Sequence, residues 1–146
     1  MANKIEYTEK KSIRIFKTKL FAKWASKEKI LDSFICNAVD EMSKGIVDAD
    51  LGGNIFKKRI SVGNKGKSSG IRTILGYKKG DKAFFIYGFA KNAKSNVTTK
   101  ELKALKEYAK LLFTYTDSKI HTALATKEIY EISEERNGQI NFRNDS

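Results

Sequence analysis

Apolar residues along the chain change their spacing twice, and the changes mark its elements. Residues 13–17 (IRIFK) alternate apolar and basic side chains, which predicts a short strand. Leu20, Phe21 and Trp24, then Ile30, Leu31, Phe34, Ile35, Ala38, Val39 and Met42, recur at three- and four-residue intervals. That period predicts two helices with a break near Lys27–Lys29, and Gly45 is placed to end the second. DADLGGN (48–54) reads as a loop, since Asp, Gly and Asn supply turn conformations. The period then shortens. IFKKRIS (55–61), IRTILGYK (71–78) and KAFFIYGF (82–89) read as strands joined by a Gly, Ser and Lys loop and a tight KKGD turn. Connections this short predict an antiparallel meander. Helical spacing returns at Leu102, Leu105, Tyr108, Ala109 and Leu112, where Thr98 and Glu101 have the form of a capping box. Asp117 is placed to cap a shorter helix through Leu124, and KEIYEIS (127–133) alternates like an edge strand. The final GQINFRNDS is expected to fray. The expected architecture is α+β, a small antiparallel sheet with helices packed on one face.

Composition sets the scale of this picture. The 146 residues are 40% hydrophobic, enough for one core, so a single domain over 1–146 is expected, its core spanning about 13–133. No apolar run reaches the roughly 20 residues of a membrane helix, and MANKIEYTEKKS has no signal-type apolar stretch. Cys36 is the one cysteine and lies in a helical apolar pattern, which suits an inert core residue and a reducing, cytoplasmic location.

Charge narrows the function. Lys and Arg number 29 against 17 Asp and Glu, a net charge of +12. Residues 57–103 hold thirteen of the basic residues and two of the acidic ones, Asp81 and Glu101. Positive charge gathered in one segment is the footprint of a polyanion partner. The strands within this segment sort their cations by parity. Lys57 and Arg59 point to one face and Phe56 and Ile60 to the other, so Lys58, on the apolar side, is expected at a rim or bulge. Arg72 is set among apolar neighbours in IRTIL, and its planar fork suits a phosphate. Lys91 and Lys94 follow the third strand in FAKNAKSN, where Asn92 and Asn96 add hydrogen-bonding groups.

Several chemistries are excluded at this point. The chain has no P-loop, GxGxxG or CxxC motif, and His121, its one histidine, cannot supply a two-histidine mechanism. The basic segment lacks the converging carboxylates of a two-metal nuclease, so no metal and no cofactor are expected. Lys, Arg and Tyr remain. Clustered cations depress lysine pKa values, so one Lys can take the proton of a ribose 2′-OH. Arg can stabilise the phosphate, and another Lys or a Tyr can protonate the leaving oxygen. On composition and spacing alone, simple nucleic-acid binding stays open and is the commoner use of basic residues on a sheet.

A resemblance favours the catalytic reading. RIFKTKLFAKWA (14–25), IVDADLGGNIFKKRI (46–60), GKSSGIRTI (66–74), FFIYGFAKNAKSNV (84–97) and KELKALKEYAKLL (100–112) together resemble the RelE/HigB-like toxins of bacterial type II toxin–antitoxin systems. The resemblance implies a RelE/ParE-like fold and an endoribonuclease, an mRNA interferase, that cuts translated message at the ribosome and inhibits translation. It also implies a cognate antitoxin, expected to be a DNA-binding protein. By position, Lys57 and Arg59 would contact and activate the scissile nucleotide, Arg72 would stabilise the phosphate, and Lys91 and Lys94 would hold the backbone or assist proton transfer. Lys58, Lys65, Lys67, Asn92 and Asn96 are expected to bind RNA around them. Many RelE-type toxins carry a tyrosine near the C-terminus, whereas here that stretch reads as helix and Tyr77 and Tyr87 read as strand residues. Relatives of this fold that bind DNA gyrase without RNA chemistry define the alternative, a toxin acting purely by binding.

Overall fold

A computed structural model of the chain describes residues 13–62 and 70–133. In chain order the elements are β1 (Arg14–Thr18), α1 (Lys19–Lys27), α2 (Asp32–Ser43), β2 (Ala49–Gly52), β3 (Ile55–Arg59), β4 (Ile71–Tyr77), β5 (Lys82–Ala90), α3 (Thr99–Phe113), α4 (Asp117–Ala125) and β6 (Ile129–Glu131). Local chemistry sets their ends. The Thr18 hydroxyl accepts from the Phe21 N–H and caps α1, which closes at Lys29 in the left-handed region (φ 61°). Gly45, at φ 85°, follows the end of α2. Thr98 and Glu101 form a complete capping box on α3.

The six strands form one sheet in the order β2-β3-β4-β5-β1-β6. The α+β class and the β3–β4–β5 meander stand as expected, while three details of the expected architecture are corrected. First, the sheet is mixed, because β1 enters beside β5 in parallel and then pairs antiparallel with β6. Second, DADLGG is not all loop: Ala49–Gly52 pairs with β3 through an irregular register between Asp50 and Gly52. Third, helices cover both faces. Ile15, Leu75, Tyr77, Ala83 and Phe85 pack with Phe21 and Ala25 of α1 and Ile35, Val39 and Met42 of α2. Phe16, Ile55, Ile74, Phe84 and Ile86 pack with Ala109 and Leu112 of α3 and Ile120 and Ala123 of α4. Central strands buried from both sides read as near-continuous apolar runs, which is what FFI in β5 is. Cys36 lies half-buried against the α1–α2 cluster, and His121 is exposed on α4.

One irregularity in β5 decides which face its later residues present. Opposite β4, Ile74 pairs with Tyr87 while Leu75 pairs with Phe85, so Ile86 is an extra residue. Such a bulge shifts the alternation of a strand by one. Phe84 and Ile86 face α3 and α4, and Tyr87 then packs on that side as well. Gly88 faces α1 instead, so close to Trp24 that a Cβ there would overlap the indole.

Candidate functional site

Directly opposed residues in a sheet point to the same face, so the register of β3, β4 and β5 places the cations. One cross-strand row reads Lys57, Ile74, Tyr87, and the next reads Arg59, Arg72, Phe89. Because Ile74 belongs to the α3–α4 cluster, both rows lie on that face. Lys57, Arg59 and Arg72 are thereby brought together on the α3–α4 face.

Arg59 and Arg72 are direct cross-strand partners. Like charges so placed repel unless an anion lies between or beside them. Arg59 has one: its Nε donates to Asp48 Oδ2 at 3.1 Å, from the segment just before β2. Arg72 is different. Its Nη1 is buried and, among the described residues, has no hydrogen-bond partner. A buried donor left unmade costs on the order of 1–3 kcal/mol, and more when charged. An incoming phosphate or carboxylate oxygen would remove that cost.

The segment after β5 supplies the other wall. Lys94 turns back so that its Nζ donates to both Glu101 carboxylate oxygens at 2.7 Å and to the Tyr87 hydroxyl oxygen at 3.3 Å. The Glu101 hydrogen bond raises the Lys94 pKa above the ordinary lysine value, outweighing a small lowering by burial, so Lys94 keeps its proton at neutral pH. Lys94 in turn lowers the Glu101 pKa, helped by the Thr98 backbone N–H. The expectation that crowded cations would free a lysine to act as base therefore fails at Lys94, because a carboxylate sits beside it. Lys57 donates at 3.5 Å to Asn96 Oδ1, which also accepts from the Val97 N–H at 2.9 Å.

The remaining expected residues divide. Lys91 is exposed at the end of β5, where its N–H donates to the Gly70 carbonyl at 2.7 Å, and Asn92 is exposed in the adjoining turn. Lys58 is a correction: it sits at no rim, being 1% exposed on the opposite face, where its Nζ donates to Glu41 of α2 at 2.6 Å. Burial there removes it from any RNA-facing surface. Lys65 and Lys67 lie outside the described residues. Three further side chains belong to the site without having been singled out for it: Tyr87, Glu101 and Asp48. The capping-box spacing placed Glu101 at the start of α3, but nothing in the spacing signalled the bulge that turns Tyr87 to this face.

Among the described residues no three His, Cys, Asp or Glu side chains come together to hold a metal ion. No described helix is long and apolar enough to cross a membrane. Fold and site together define a small basic α+β protein that presents a cationic sheet face, with one guanidinium nitrogen that has no partner among the described residues. The sequence model described as the RelE toxin of the RelE/RelB toxin–antitoxin system matches residues 13–132, and the chain belongs to that family. It is thus a toxin-type member of a toxin–antitoxin pair, and the family implies a cognate antitoxin as its partner. No curated protein and no solved structure matches the chain significantly.

Proposed function

We propose that this toxin is a metal-independent endoribonuclease that cuts translated mRNA at the ribosome and so inhibits translation. The observation that carries the reading is the row of Arg59 beside Arg72, one guanidinium neutralised by Asp48 and the other holding a buried Nη1 without a partner among the described residues. A scissile phosphate is the anion that completes it, and its growing charge in the transition state is what such preorganised donors stabilise. In the reaction the ribose 2′-OH gives its proton to solvent water and its oxygen bonds to phosphorus as the P–O5′ bond breaks, giving a cyclic phosphate and a 5′-oxygen that takes up a proton to become a 5′-hydroxyl. Lys57 and Arg59 contact the nucleotide that supplies the 2′-OH. Lys94, kept protonated by Glu101, is suited to donate a proton to the departing 5′-oxygen, directly or through the Tyr87 hydroxyl. Lys91, Asn92 and Asn96 border the path of the strand. The antitoxin, proposed to be a DNA-binding protein, silences the toxin by covering or rearranging this face.

The deciding experiment adds the purified protein to a cell-free translation reaction and maps the mRNA 5′ ends, with Arg72→Ala in parallel. Discrete cuts that fall by about 100-fold or more in the variant are expected, as for other single electrostatic stabilisers. Intact message with normal protein synthesis would overturn the ribonuclease reading, and inhibition of DNA supercoiling by the same protein would replace it with a gyrase-binding toxin.

A further inference from the structure

A second cationic feature lies on the same face, away from Arg72. Lys78, Lys103, Lys106 and Lys110 line an open groove of about 670 Å³ between α3, the β2–β3 turn at Gly53 and Asn54, and the end of β4. Among the described residues Glu107 is the one acid in its lining, and none of the four lysines makes an ion pair. Lys103, Lys106, Glu107 and Lys110 follow i, i+3, i+4, i+7 spacing, so they form one side of α3. Evenly solvated lysines would be scattered around the helix. Here they converge on a concavity with Lys78, which comes from the sheet, and Lys106 Nζ is held 3.5 Å from where a Cβ on Gly52 would stand.

We infer that this groove is a second RNA-backbone site, holding phosphates of the same strand that is cut at Arg72; the inference rests on the ribonuclease reading above. Three observations choose RNA. The groove continues from the candidate site: α3 starts where Glu101 grips Lys94, and Lys110 lies about 13 Å further along its axis at 1.5 Å per residue. On the opposite wall, Asn54 is three residues from Lys57 along β3, about 10 Å. Second, the donors are ammonium groups on flexible stems, which hold phosphates as point charges without reading sequence. Third, the aromatic ring in the groove is already occupied. Phe113 carries Lys78 Nζ 4.8 Å from its centroid and packs edge-on against Phe84, so no base stacks there. The groove reads charge, and the sheet site performs the chemistry.

The test uses the full chain and 2′-O-methylated, fluorescein-labelled single-stranded RNA, which cannot be cleaved, at lengths of about four and about twelve nucleotides. Anisotropy titrations from 50 to 200 mM salt compare the wild type with Lys103→Gln/Lys106→Gln/Lys110→Gln. Three lost phosphate contacts should flatten the salt slope on the longer RNA by about 2. Over that fourfold salt range, wild-type affinity then falls about 16- to 20-fold more than the variant's. The gain in affinity from short to long RNA should shrink in the variant. Far-UV circular dichroism checks its fold, and Lys106→Gln alone, expected to lose about 0.7 of slope, serves if the triple variant is damaged. Equal slopes for wild type and variant overturn the groove while leaving the ribonuclease reading intact. A wild type that binds neither RNA overturns the groove, while the ribonuclease reading is decided by the translation reaction above. A variant that loses poly-glutamate binding and keeps its RNA slope overturns the inference in favour of an acidic protein partner.

Discussion

Truncating Glu41 to alanine removes the carboxylate that meets the Lys58 ammonium at 2.6 Å, on the side of the sheet away from the cationic rows. At an effective dielectric of about 20 the gross attraction across that distance is about 6 kcal/mol. Desolvation of both ions offsets most of it, so the intact pair contributes little net stability. The broken pair is another matter. Lys58 is 1% exposed, whereas the Glu41 side chain keeps 34% of its surface in water. Removing Glu41 strands a buried charge, at a cost near the lower end of the usual 3–5 kcal/mol because water reaches the vacated position. Removing Lys58 leaves a carboxylate that water already reaches. Glu41→Ala should therefore lose about 3 kcal/mol in urea unfolding, while Lys58→Met stays within about 1 kcal/mol of wild type. The double variant should resemble Lys58→Met, because the two changes share one interaction. RNA affinity measured on Lys58→Met should match wild type. A loss below about 1 kcal/mol in Glu41→Ala, or a tenfold loss of RNA affinity in Lys58→Met, would refute the reasoning and return Lys58 to the RNA-facing set.

Three other perturbations test separate parts of the structure. Glu101→Gln keeps a side chain able to complete the capping box yet removes the charge that raises the Lys94 pKa, so the alkaline limb of the pH–cleavage profile should move to lower pH; an unmoved limb would take Lys94 out of the acid role. Gly88→Ala pushes a methyl into the Trp24 ring and should destabilise by about 3 kcal/mol or more in urea unfolding, with Trp24 fluorescence as a second readout. Tyr115, whose hydroxyl donates to Glu128 at 2.6 Å, has its pKa pushed up to about 12 by burial and then by that carboxylate. Ultraviolet titration should show a tyrosine ionising near there that is missing from Tyr115→Phe. Since the folded value is raised, its stabilisation is complete below the ordinary tyrosine pKa of about 10 and is lost as pH climbs toward the folded one.

Much of the fold was legible in the sequence, and what escaped did so for identifiable reasons. The β3–β4–β5 meander, both helix pairs and the α3 capping box announce themselves through short-range periodicity and side-chain chemistry. The pairing of β1 with β5 does not, because alternation reports a strand and never its neighbour. β2 is four residues at a sheet edge, with glycine and an irregular register, so its composition is that of a turn. Lys57, Arg59 and Arg72 follow from strand parity, which the structure keeps in β3 and β4. Tyr87 does not, because one extra residue in β5 reverses parity between Phe85 and Gly88. Lys58 was misplaced by a different route: parity put it correctly on the apolar face, and only Glu41, in a helix seventeen residues earlier, explains how a cation stays there.

The strand order bears on how the toxin comes into being. β1 leaves the ribosome before any other strand of the sheet, yet its two neighbours are β5 and β6, the latter about 110 residues behind it. At synthesis rates of about 5–20 residues per second, the first strand waits roughly 6 to 22 s for its final partner. Until then β1 has a bare outer flank, while the β3–β4 pairing that aligns Arg59 with Arg72 uses strands already made. Closing the sheet is thus left to a three-residue strand at the edge opposite β2, the last of the six to be made.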